Sequence, residues 1–305
     1  WADVEGWVGD GGAQLGTRRE VPTIEQLYSI GRSLESNHID GLIVIGGFNA
    51  YLGAHTLIKE RDRYPAFNIP IVCVPASIDN NLPGSELSIG ADTAVNSTVY
   101  TLDAIKLSAS ASKRCFVAEV MGRRCGYLTL MSGLATGAEK VYLPEHDATL
   151  DEIASATSDM VKSFRDGRRL YLVLRNEAAC GLYSTKLLAD VFAQESHGLY
   201  DVRESVIGHV QQGGNPTAFD RLMATRLVTN AMQVLVDELV AGTARGHYVG
   251  LVNGEFRDSP LAHMNDELDL ANRRPRDQWW LRLEHVIPVV SQDEVAIDKS
   301  KLPPL

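Results

Sequence analysis

The alternation of apolar and polar positions predicts strands and helices that follow one another along most of the chain. Short apolar runs bounded by turn residues are typical of buried strands, whereas apolar positions three or four residues apart are typical of helices. The predicted strands cover residues 41–46, 69–75, 115–120, 139–143, 170–174 and 205–210. The predicted helices cover residues 23–37, 50–62, 89–112, 126–136, 150–165, 184–196 and 219–240. We therefore expect an α/β fold in which helices flank mostly parallel sheets.

We expect the chain to form two lobes, divided near Glu145, where the first run of alternating elements ends. Residues 1–145 would form the first α/β lobe, and residues 146–305 would form the second lobe together with C-terminal helices that return to the first. The helix at 219–240 would make that return, and the amphipathic segment 277–290 would follow it. The glycine-rich start of the chain has no strand before it, so we expect the chain to enter its first lobe partway through.

Composition and charge limit the classes of ligand. The 305-residue chain carries a formal net charge of -10, which argues against nucleic acid and acidic membranes as partners, because phosphate-rich surfaces demand a basic face. A local cluster of cations could still bind a small anion. No apolar run reaches the roughly 18 residues of a membrane span. The 4 cysteines are too widely spaced for a metal or redox motif, so we expect reduced, buried thiols in a cytoplasmic protein.

The turn after the predicted strand at 69–75 carries the first candidate for chemistry. It holds Ser77, Asp79, Asn80 and Asn81, and ligands of open α/β proteins bind at the carboxyl ends of parallel strands. The surrounding amides and hydroxyls could orient the Asp79 carboxylate as a general base toward a sugar hydroxyl. It could equally be a turn-forming aspartate, and the pattern leaves both interpretations open.

Cations and polar side chains accompany several other predicted strands. Arg123 follows the strand at 115–120 and could contact a phosphoryl group or solvent, whereas Arg114 precedes that strand, where a solvated arginine is common. Glu177 could accept hydrogen bonds from sugar hydroxyls or lie in a surface loop. His209 lies beside a double-glycine turn and has little apolar packing to serve. Further arginines are Arg203, Arg273, Arg274 and Arg276. These separated cations favour a phosphorylated small ligand.

The Gly46-Gly47 pair joins a predicted strand to a predicted helix. Backbone amides at such a junction can bind a phosphate, although a tight turn alone also favours glycine. The following residues, Phe48, Asn49 and Ala50, supply no carboxylate that could hold Mg2+ near a triphosphate. We therefore predict no metal site from this chain.

Several motifs together resemble a known family. The chain contains, in this order, IGGFNAY, PASIDNNLPGSELSIGADTA, EVMGRRCGY, LRNE, IGHVQQGGNPTAFDR and RPRDQWW. They resemble the carboxyl-terminal half of the eukaryotic-type ATP-dependent 6-phosphofructokinases. The resemblance runs from the GWVGDGGAQLGT loop to the closing helix, which is nearly the whole chain. It implies the phosphofructokinase fold.

In that family a duplicated chain has two homologous halves. The amino-terminal half uses ATP and Mg2+ to convert fructose 6-phosphate to fructose 1,6-bisphosphate in glycolysis, and the other half is an allosteric site for fructose 2,6-bisphosphate. Nucleotide loops of working halves read GGDGS, whereas Gly46, Gly47 and Phe48 stand here. Gln212 stands where working halves usually have arginine. The resemblance therefore implies a regulatory half with a vestigial nucleotide loop and a missing first nucleotide-loop unit. We expect this half to bind neither ATP nor Mg2+.

The resemblance also implies which residues line the sugar bisphosphate site. They are Ser77, Ile78, Asp79, Asn80, Asn81, Met121, Gly122, Arg123, Glu177, His209, Val210, Gln211 and Gln212. Arg19 and Arg274 would close on a phosphate. Arg114 and Arg203 match positions that the family supplies from a neighbouring subunit, so the resemblance implies a homo- or hetero-oligomer.

Two residues fit a second catalytic half instead. Asp79 is kept where regulatory halves of this type often carry serine, and Arg123 resembles the MGR of catalytic halves rather than the regulatory MGG. We weigh the lost nucleotide loop above both, because phosphoryl transfer depends mainly on metal, positioning and charge stabilisation.

Three further hypotheses about function fit the motifs less well. A pyrophosphate-dependent relative would resemble this chain with lysine in place of Ala76. A nicotinamide-dependent dehydrogenase would need a GxGxxG motif followed by an acidic residue. A non-catalytic scaffold would leave Glu177, His209 and the separated arginines without a shared ligand.

Overall fold

The computed structural model describes residues 2–109, 112–146 and 148–291. The predicted first lobe includes residues 1, 110 and 111, and the helix predicted at 89–112 includes the last two of these. The predicted second lobe includes residues 147 and 292–305. These parts of the predictions lie outside the described residues.

Strands and helices alternate along the described chain and confirm the predicted α/β class. The strands are β1 (Leu42–Gly46), β2 (Ile71–Pro75), β3 (Arg114–Val120), β4 (Lys140–Tyr142), β5 (Leu170–Asn176), β6 (Asp201–Val206), β7 (Gly246–Val252), β8 (Glu255–Pro260), β9 (Leu268–Asp269) and β10 (Arg274–Pro275). The helices are α1 (Ile24–Ser36), α2 (Phe48–Lys59), α3 (Ala91–Ser108), α4 (Tyr127–Thr136), α5 (Leu150–Arg165), α6 (Thr185–Glu195), α7 (Ala218–Ala241), α8 (Met264–Glu267) and α9 (Ile287–Val290). Within the described ranges, no helix is both long and apolar enough to cross a membrane.

The chain divides into two compact units rather than at one boundary near Glu145. The first unit contains the chain up to Asp92 and again from Asn215 to Asp277, so α7 belongs to it. The second contains Thr93 to Gly214 and continues from Gln278, so α9 belongs there. The difference arises from strand pairing, because β3 pairs with β5 and β6 and draws residues of the predicted first lobe into the second sheet.

The sheet of the first unit has the strand order β1, β2, β7, β8. The first three strands are parallel, and β8 is antiparallel to β7. β2 is buried along its whole length, as its unbroken apolar run predicted. Val72 shares a core cluster with Leu227 of α7, whereas Cys73 shares another with Tyr51 of α2. Gly46 pairs with Pro75, so the chain leaves β1 and β2 side by side.

The sheet of the second unit has the order β4, β5, β3, β6, and its strands are all parallel. One core cluster joins Phe164 of α5 and Phe192 of α6 to the central strands through Val117 and Val173. The register places Val120 opposite Asn176, so β3 and β5 end at the same edge. Residues that follow these strands are therefore neighbours in space.

The structure corrects the strand prediction at 205–210. The strand is β6 at Asp201–Val206, and a 3-10 helix follows at Gly208–Gln212, beginning with Gly208 at φ 58°. Most side chains of β6 are exposed, because it is an edge strand. It therefore lacks the apolar run on which the prediction relied.

The sequence pattern predicts no strand at β7 or β8, although the structure pairs them as a hairpin. Asn253 and Gly254 connect them with φ values of 53° and 79°. An Asn-Gly pair with positive φ is a strong hairpin signal. That dipeptide would have revealed the hairpin.

Glu238, near the end of α7, ties this helix to β7. Its carboxylate accepts hydrogen bonds from Thr243 Oγ1 (2.6 Å) and the Arg245 N–H (3.2 Å), and it lies 3.0 Å from His247 Nε2. His247 Nδ1 lies 3.1 Å from an Asp258 oxygen. Burial alone would raise the pKa of Glu238, but the hydrogen bonds from Thr243, Arg245 and His247 outweigh it and hold that pKa at about 2.

We expect the Glu238→Gln variant to be less stable than the wild type near neutral pH. The difference in stability should be smaller in acid. A carboxylate whose pKa falls on folding stabilises the protein above its unfolded-state pKa, and this contribution is lost as the pH drops toward the folded value of about 2. Glutamine does not titrate. The difference in the free energy of unfolding should therefore shrink between about pH 6 and about pH 3.

Urea denaturation of both proteins across this pH range measures the difference. Glu255→Gln, at the exposed start of β8, is the matched control and should change stability little at any pH. A Glu238→Gln difference that stays constant or grows in acid would contradict the assigned role.

Candidate functional site

A buried asparagine closes the turn after β2. Asn80 is 5% exposed and has a φ of 50°, a conformation that asparagine tolerates better than most residues. Its Nδ2 donates to the Glu86 carbonyl oxygen (2.8 Å), and its Oδ1 accepts from the Ser88 N–H (2.7 Å). The Asn80 side chain therefore braces the turn from within.

Asn81 fixes the turn from the other side. It accepts a hydrogen bond from Ser77 Oγ (3.1 Å), and its Nδ2 donates to the Arg273 carbonyl oxygen (3.0 Å). Ser77 Oγ also accepts from the Asp79 N–H (3.3 Å). Ser77, Ile78 and Asp79 are half-buried, whereas Asn81 is buried. The accessible part of the turn is thus the segment from Ser77 to Asp79.

An arginine covers the start of α2, which lies beside this turn. Gly47 is the N-cap residue of α2, and a Cβ there would contact Ser77. Phe48 follows and is 7% exposed. The Arg273 guanidinium carbon lies 4.8 Å from the centroid of the Phe48 ring, and the same side chain donates a hydrogen bond to Asn49 Oδ1. Aromatic and guanidinium groups therefore occupy this junction.

The glycine loop does not fit a magnesium nucleotide. Gly46 ends β1, and the first turn of α2, which lies wholly in the described chain, contains no acidic residue. Mg2+ is held by carboxylates together with substrate phosphates and water. A helix N-terminus next to Arg273 is instead a positive environment. Across the described ranges, no group of three or more His, Cys, Asp or Glu side chains could hold a metal ion.

The two arginines predicted to close on a phosphate belong to segments that reach the same loops. Arg274 is half-buried in β10, which pairs with β9. Its neighbour Arg273 contacts the turn through Asn81. Arg19 lies in an exposed segment before α1, and its carbonyl oxygen accepts a hydrogen bond from Asn49. The structure thus links both backbone segments to the strand ends of the first unit.

The second unit brings together residues that follow β3 and β5. Glu177 Oε1 accepts hydrogen bonds from the N–H groups of Gly122 (3.1 Å) and Arg123 (2.6 Å). Gly122 has a φ of 136°, and a Cβ there would lie 2.5 Å from the Cys125 carbonyl oxygen, so this position requires glycine. The Arg123 and Glu177 side chains are exposed. Met121 joins the same cluster through its backbone N–H, which donates to Gln211 Oε1.

The residues after β6 divide into an outward and an inward group. His209, Val210 and Gln212 are exposed, whereas Gln211 is 1% exposed. Gln212 Nε2 lies 3.8 Å from the Met121 sulfur. The 3-10 helix therefore presents three of the predicted site residues to solvent and buries the fourth.

Arg114 and Arg203 lie apart from this cluster. Arg114 is the first residue of β3, at the end opposite Met121, and its guanidinium donates to the Ser108 carbonyl oxygen (3.2 Å). Arg203 lies on the neighbouring strand opposite Phe116. A strand of this length spans roughly 20 Å. The second unit by itself does not bring either arginine to the Glu177 cluster.

Three contributors to these clusters escaped the sequence reasoning. In the sequence Arg273 is one of several arginines, and its position over Phe48 depends on contacts between residues far apart in the chain. Asn176 donates to the Cys125 carbonyl oxygen (3.1 Å) from inside the LRNE motif. Thr98 lies inside α3 and accepts from Gln211, and its sequence surroundings carry no signal for that contact.

The fold and the clusters define an α/β protein with polar groups, glycines and arginines at the carboxyl ends of parallel strands. Open α/β proteins bind their ligands there. The Phosphofructokinase family model matches residues 1–235, which is most of the chain. The chain belongs to the phosphofructokinase family, and the resemblance found in the motifs is confirmed.

Curated relatives carry the same family name. The chain is 41% identical over 289 residues to the ATP-dependent 6-phosphofructokinase of Dictyostelium discoideum, covering 93% of this chain and 34% of that protein. It is 36% identical over 311 residues to the human muscle-type ATP-dependent 6-phosphofructokinase, covering 98% of this chain and 40% of that protein. The chain therefore spans well under half the length of these relatives.

Solved structures confirm the phosphofructokinase fold. A phosphofructokinase structure from Saccharomyces cerevisiae matches with a TM-score of 0.92 and 34% identity, covering 97% of this chain and 40% of that chain. The structure of a pyrophosphate-dependent phosphofructokinase from Marinobacter aquaeolei matches with a TM-score of 0.64 and 18% identity, covering 96% of this chain and 76% of that chain. The second likeness shows the fold alone.

We expect Asn80→Ala to destabilise the protein more than an exposed asparagine substitution does. The change removes the hydrogen bonds to the Glu86 carbonyl oxygen and the Ser88 N–H and leaves the buried Ser88 N–H without this partner, which costs about 1–3 kcal/mol. Asn68→Ala is the control, because Asn68 is exposed. Urea denaturation measures both variants, and equal stability of the two would contradict the bracing role of Asn80.

Proposed function

We propose that this chain forms a regulatory half of an ATP-dependent 6-phosphofructokinase and binds a phosphorylated fructose as its allosteric ligand. The whole enzyme would convert ATP and fructose 6-phosphate to ADP and fructose 1,6-bisphosphate in the cytoplasm. The names of the curated relatives support the activity of the whole protein. The portion represented by this chain would contribute control of that activity rather than phosphoryl transfer.

The regulatory assignment rests on the side-chain contacts at the Gly46-Gly47 loop. Phe48 is buried at the start of α2, Arg273 lies over its ring, and Asn49 accepts a hydrogen bond from Arg273. Phosphoryl transfer depends on a correctly held metal and donor. Because the first turn of α2 supplies no acidic ligand and Arg273 lies over Phe48, we infer that ATP and Mg2+ act elsewhere in the full enzyme.

Each unit by itself presents accessible residues whose chemistry suits a sugar phosphate. In the first unit these are the turn from Ser77 to Asp79 and the side chains of Arg19 and Arg274. Guanidinium groups suit phosphate because they form paired, charge-assisted hydrogen bonds. In the second unit they are Arg123, Glu177, His209, Val210 and Gln212. We therefore propose fructose 2,6-bisphosphate as the type of ligand.

Arg114 and Arg203 fit a role at a subunit interface. Arg114 lies on β3 and Arg203 lies on β6, both away from the Glu177 cluster. We propose that they complete the ligand site of a neighbouring subunit in a homo- or hetero-oligomer. A ligand that contacts two subunits favours the quaternary state in which those arginines are close, by its differential affinity for the two states.

A second catalytic half is the competing proposal. The observation in its favour is the braced turn, which holds a half-buried Asp79 at the carboxyl end of β2. A carboxylate so placed has the chemistry of a general base for a sugar hydroxyl. The two proposals differ in whether this base acts on a bound phosphoryl donor.

Calorimetry with the full-length enzyme tests ligand binding by this half. We expect His209→Ala to weaken the binding of fructose 2,6-bisphosphate by about tenfold or more, because a hydrogen bond to a charged group contributes about 1.5–3 kcal/mol. His263→Ala, also at an exposed histidine, is the matched control and should bind normally. Equal affinities of the two variants would remove His209 from the site.

Kinetics of the Asp79→Ala variant decide between the two roles. In the full-length enzyme we expect maximal turnover to stay near that of the wild type, whereas the concentration of fructose 2,6-bisphosphate needed for activation should rise. A loss of several orders of magnitude in kcat would instead identify Asp79 as a working base and overturn the regulatory assignment.

A further inference from the structure

The Gln211 side chain is almost fully removed from solvent and uses both ends of its amide. Its exposure is 1%, in contrast to the exposed residues on either side. Oε1 accepts a hydrogen bond from the Met121 N–H (2.9 Å), and Nε2 donates to Thr98 Oγ1 (2.8 Å). Thr98 is 0% exposed and donates its own proton to the Ala94 carbonyl oxygen (2.7 Å).

These partners determine the orientation of the amide. A backbone N–H can only donate, so the Gln211 oxygen must face Met121. The Thr98 hydroxyl proton is used within α3, so its lone pairs are left to accept from the Gln211 NH2 group. A polar chain therefore runs from α3 through one side chain to the backbone that follows β3.

Every backbone N–H from Met121 to Arg123 is held by a side chain. Gln211 binds the first, and Glu177 Oε1 binds those of Gly122 and Arg123. Asn176 Nδ2 lies 3.5 Å from the Met121 carbonyl oxygen. Because Glu177 is an exposed carboxylate tied to two adjacent amides, a shift of Met121 would move the Glu177 carboxylate as well.

We propose that Gln211 is a positioning residue for ligand binding and does not contact the ligand. It holds the segment from Met121 to Arg123 and thereby orients the Glu177 carboxylate and the Arg123 side chain. This inference rests on the proposed function, because it assigns a role in the binding of a phosphorylated fructose. It also separates Gln211 from His209 and Gln212, which the sequence groups together.

The amide chemistry explains why glutamine is needed at this position. An apolar side chain of similar length would leave the Met121 N–H and the Thr98 hydroxyl without this partner in a dry environment. Burial at this position would favour a protonated glutamate, whose O–H can replace the donor to Thr98 while its other oxygen accepts from the Met121 N–H. The two substitutions should therefore differ in degree, with glutamate retaining more of the function.

Hydrogen exchange on the full-length enzyme without ligand gives the first test. We expect Gln211→Met to speed exchange at the amides of Met121, Gly122 and Arg123, and Gln211→Glu to do so less. Gln233→Met is the matched control, because Gln233 is exposed on α7 and its Nε2 donates to Asp237 one helical turn away. Exchange at these amides equal to that of the control would overturn the proposal.

Calorimetry with fructose 2,6-bisphosphate gives the second test. We expect Gln211→Met to weaken binding by about tenfold, with partial recovery in Gln211→Glu and none of this loss in the Gln233→Met control. Thr98→Val should weaken binding in the same direction, and its effect should not add to that of Gln211→Met, because both changes break one chain of hydrogen bonds.

The outcomes separate this inference from the proposed function. If the wild type binds no fructose 2,6-bisphosphate, the proposed function fails, while the exchange experiment still decides whether Gln211 holds the Met121 segment. If binding is normal in Gln211→Met but exchange is faster, the positioning role for ligand binding is wrong. Should Gln211→Met fail to fold, Gln211→Glu and Thr98→Val carry the same comparisons.

Discussion

The hydrogen bonds that hold the backbone where parallel strands end are the constraint on which both units depend. A strand that leaves its sheet exposes N–H and C=O groups that no neighbouring strand can pair. In this protein buried amide side chains bind several of them. After β2, Asn80 binds backbone groups of Glu86 and Ser88, and after β3, Asn176 and Gln211 bind the Cys125 carbonyl oxygen and the Met121 N–H. Asn81 ties the turn after β2 to the Arg273 carbonyl oxygen, just before β10. Each amide offers both a donor and an acceptor, so a single side chain can bind two segments at once.

Neighbouring residues of one motif differ in burial and therefore in role. Asn80 and Asn81 are buried, whereas the residues from Ser77 to Asp79 remain partly accessible. Gln211 is buried, whereas Gln212 is exposed. A turn that must hold a ligand needs some side chains to fix its backbone and others to face outward. A sequence motif contains both the buried and the outward-facing side chains of a turn. It does not show which is which, because burial depends on the folded structure around the turn.

The sequence was sufficient for elements whose signal is local. The apolar run of β2 and the capped periodicity of α1 gave nearly correct bounds. Prediction from the sequence failed where an element depends on pairing with strands far away in the chain. The edge strand β6 has no apolar run, and β3 joins the second sheet through partners that appear later in the chain. In the candidate site, motif resemblance located the strand ends, but no local pattern could place Arg273 over Phe48 or Thr98 against Gln211.

Arg273 connects the two features of the first unit that point in opposite directions about function. Its carbonyl oxygen accepts from Asn81 in the turn that carries Asp79, and its side chain covers Phe48 and binds Asn49 at the start of α2. The residue whose side chain lies over Phe48 therefore also supports the turn through its carbonyl oxygen. For this reason Asp79 and a covered start of α2 are compatible in the proposed regulatory half. The backbone of the turn is fixed by buried asparagines and by Arg273, so its conformation does not depend on a bound nucleotide.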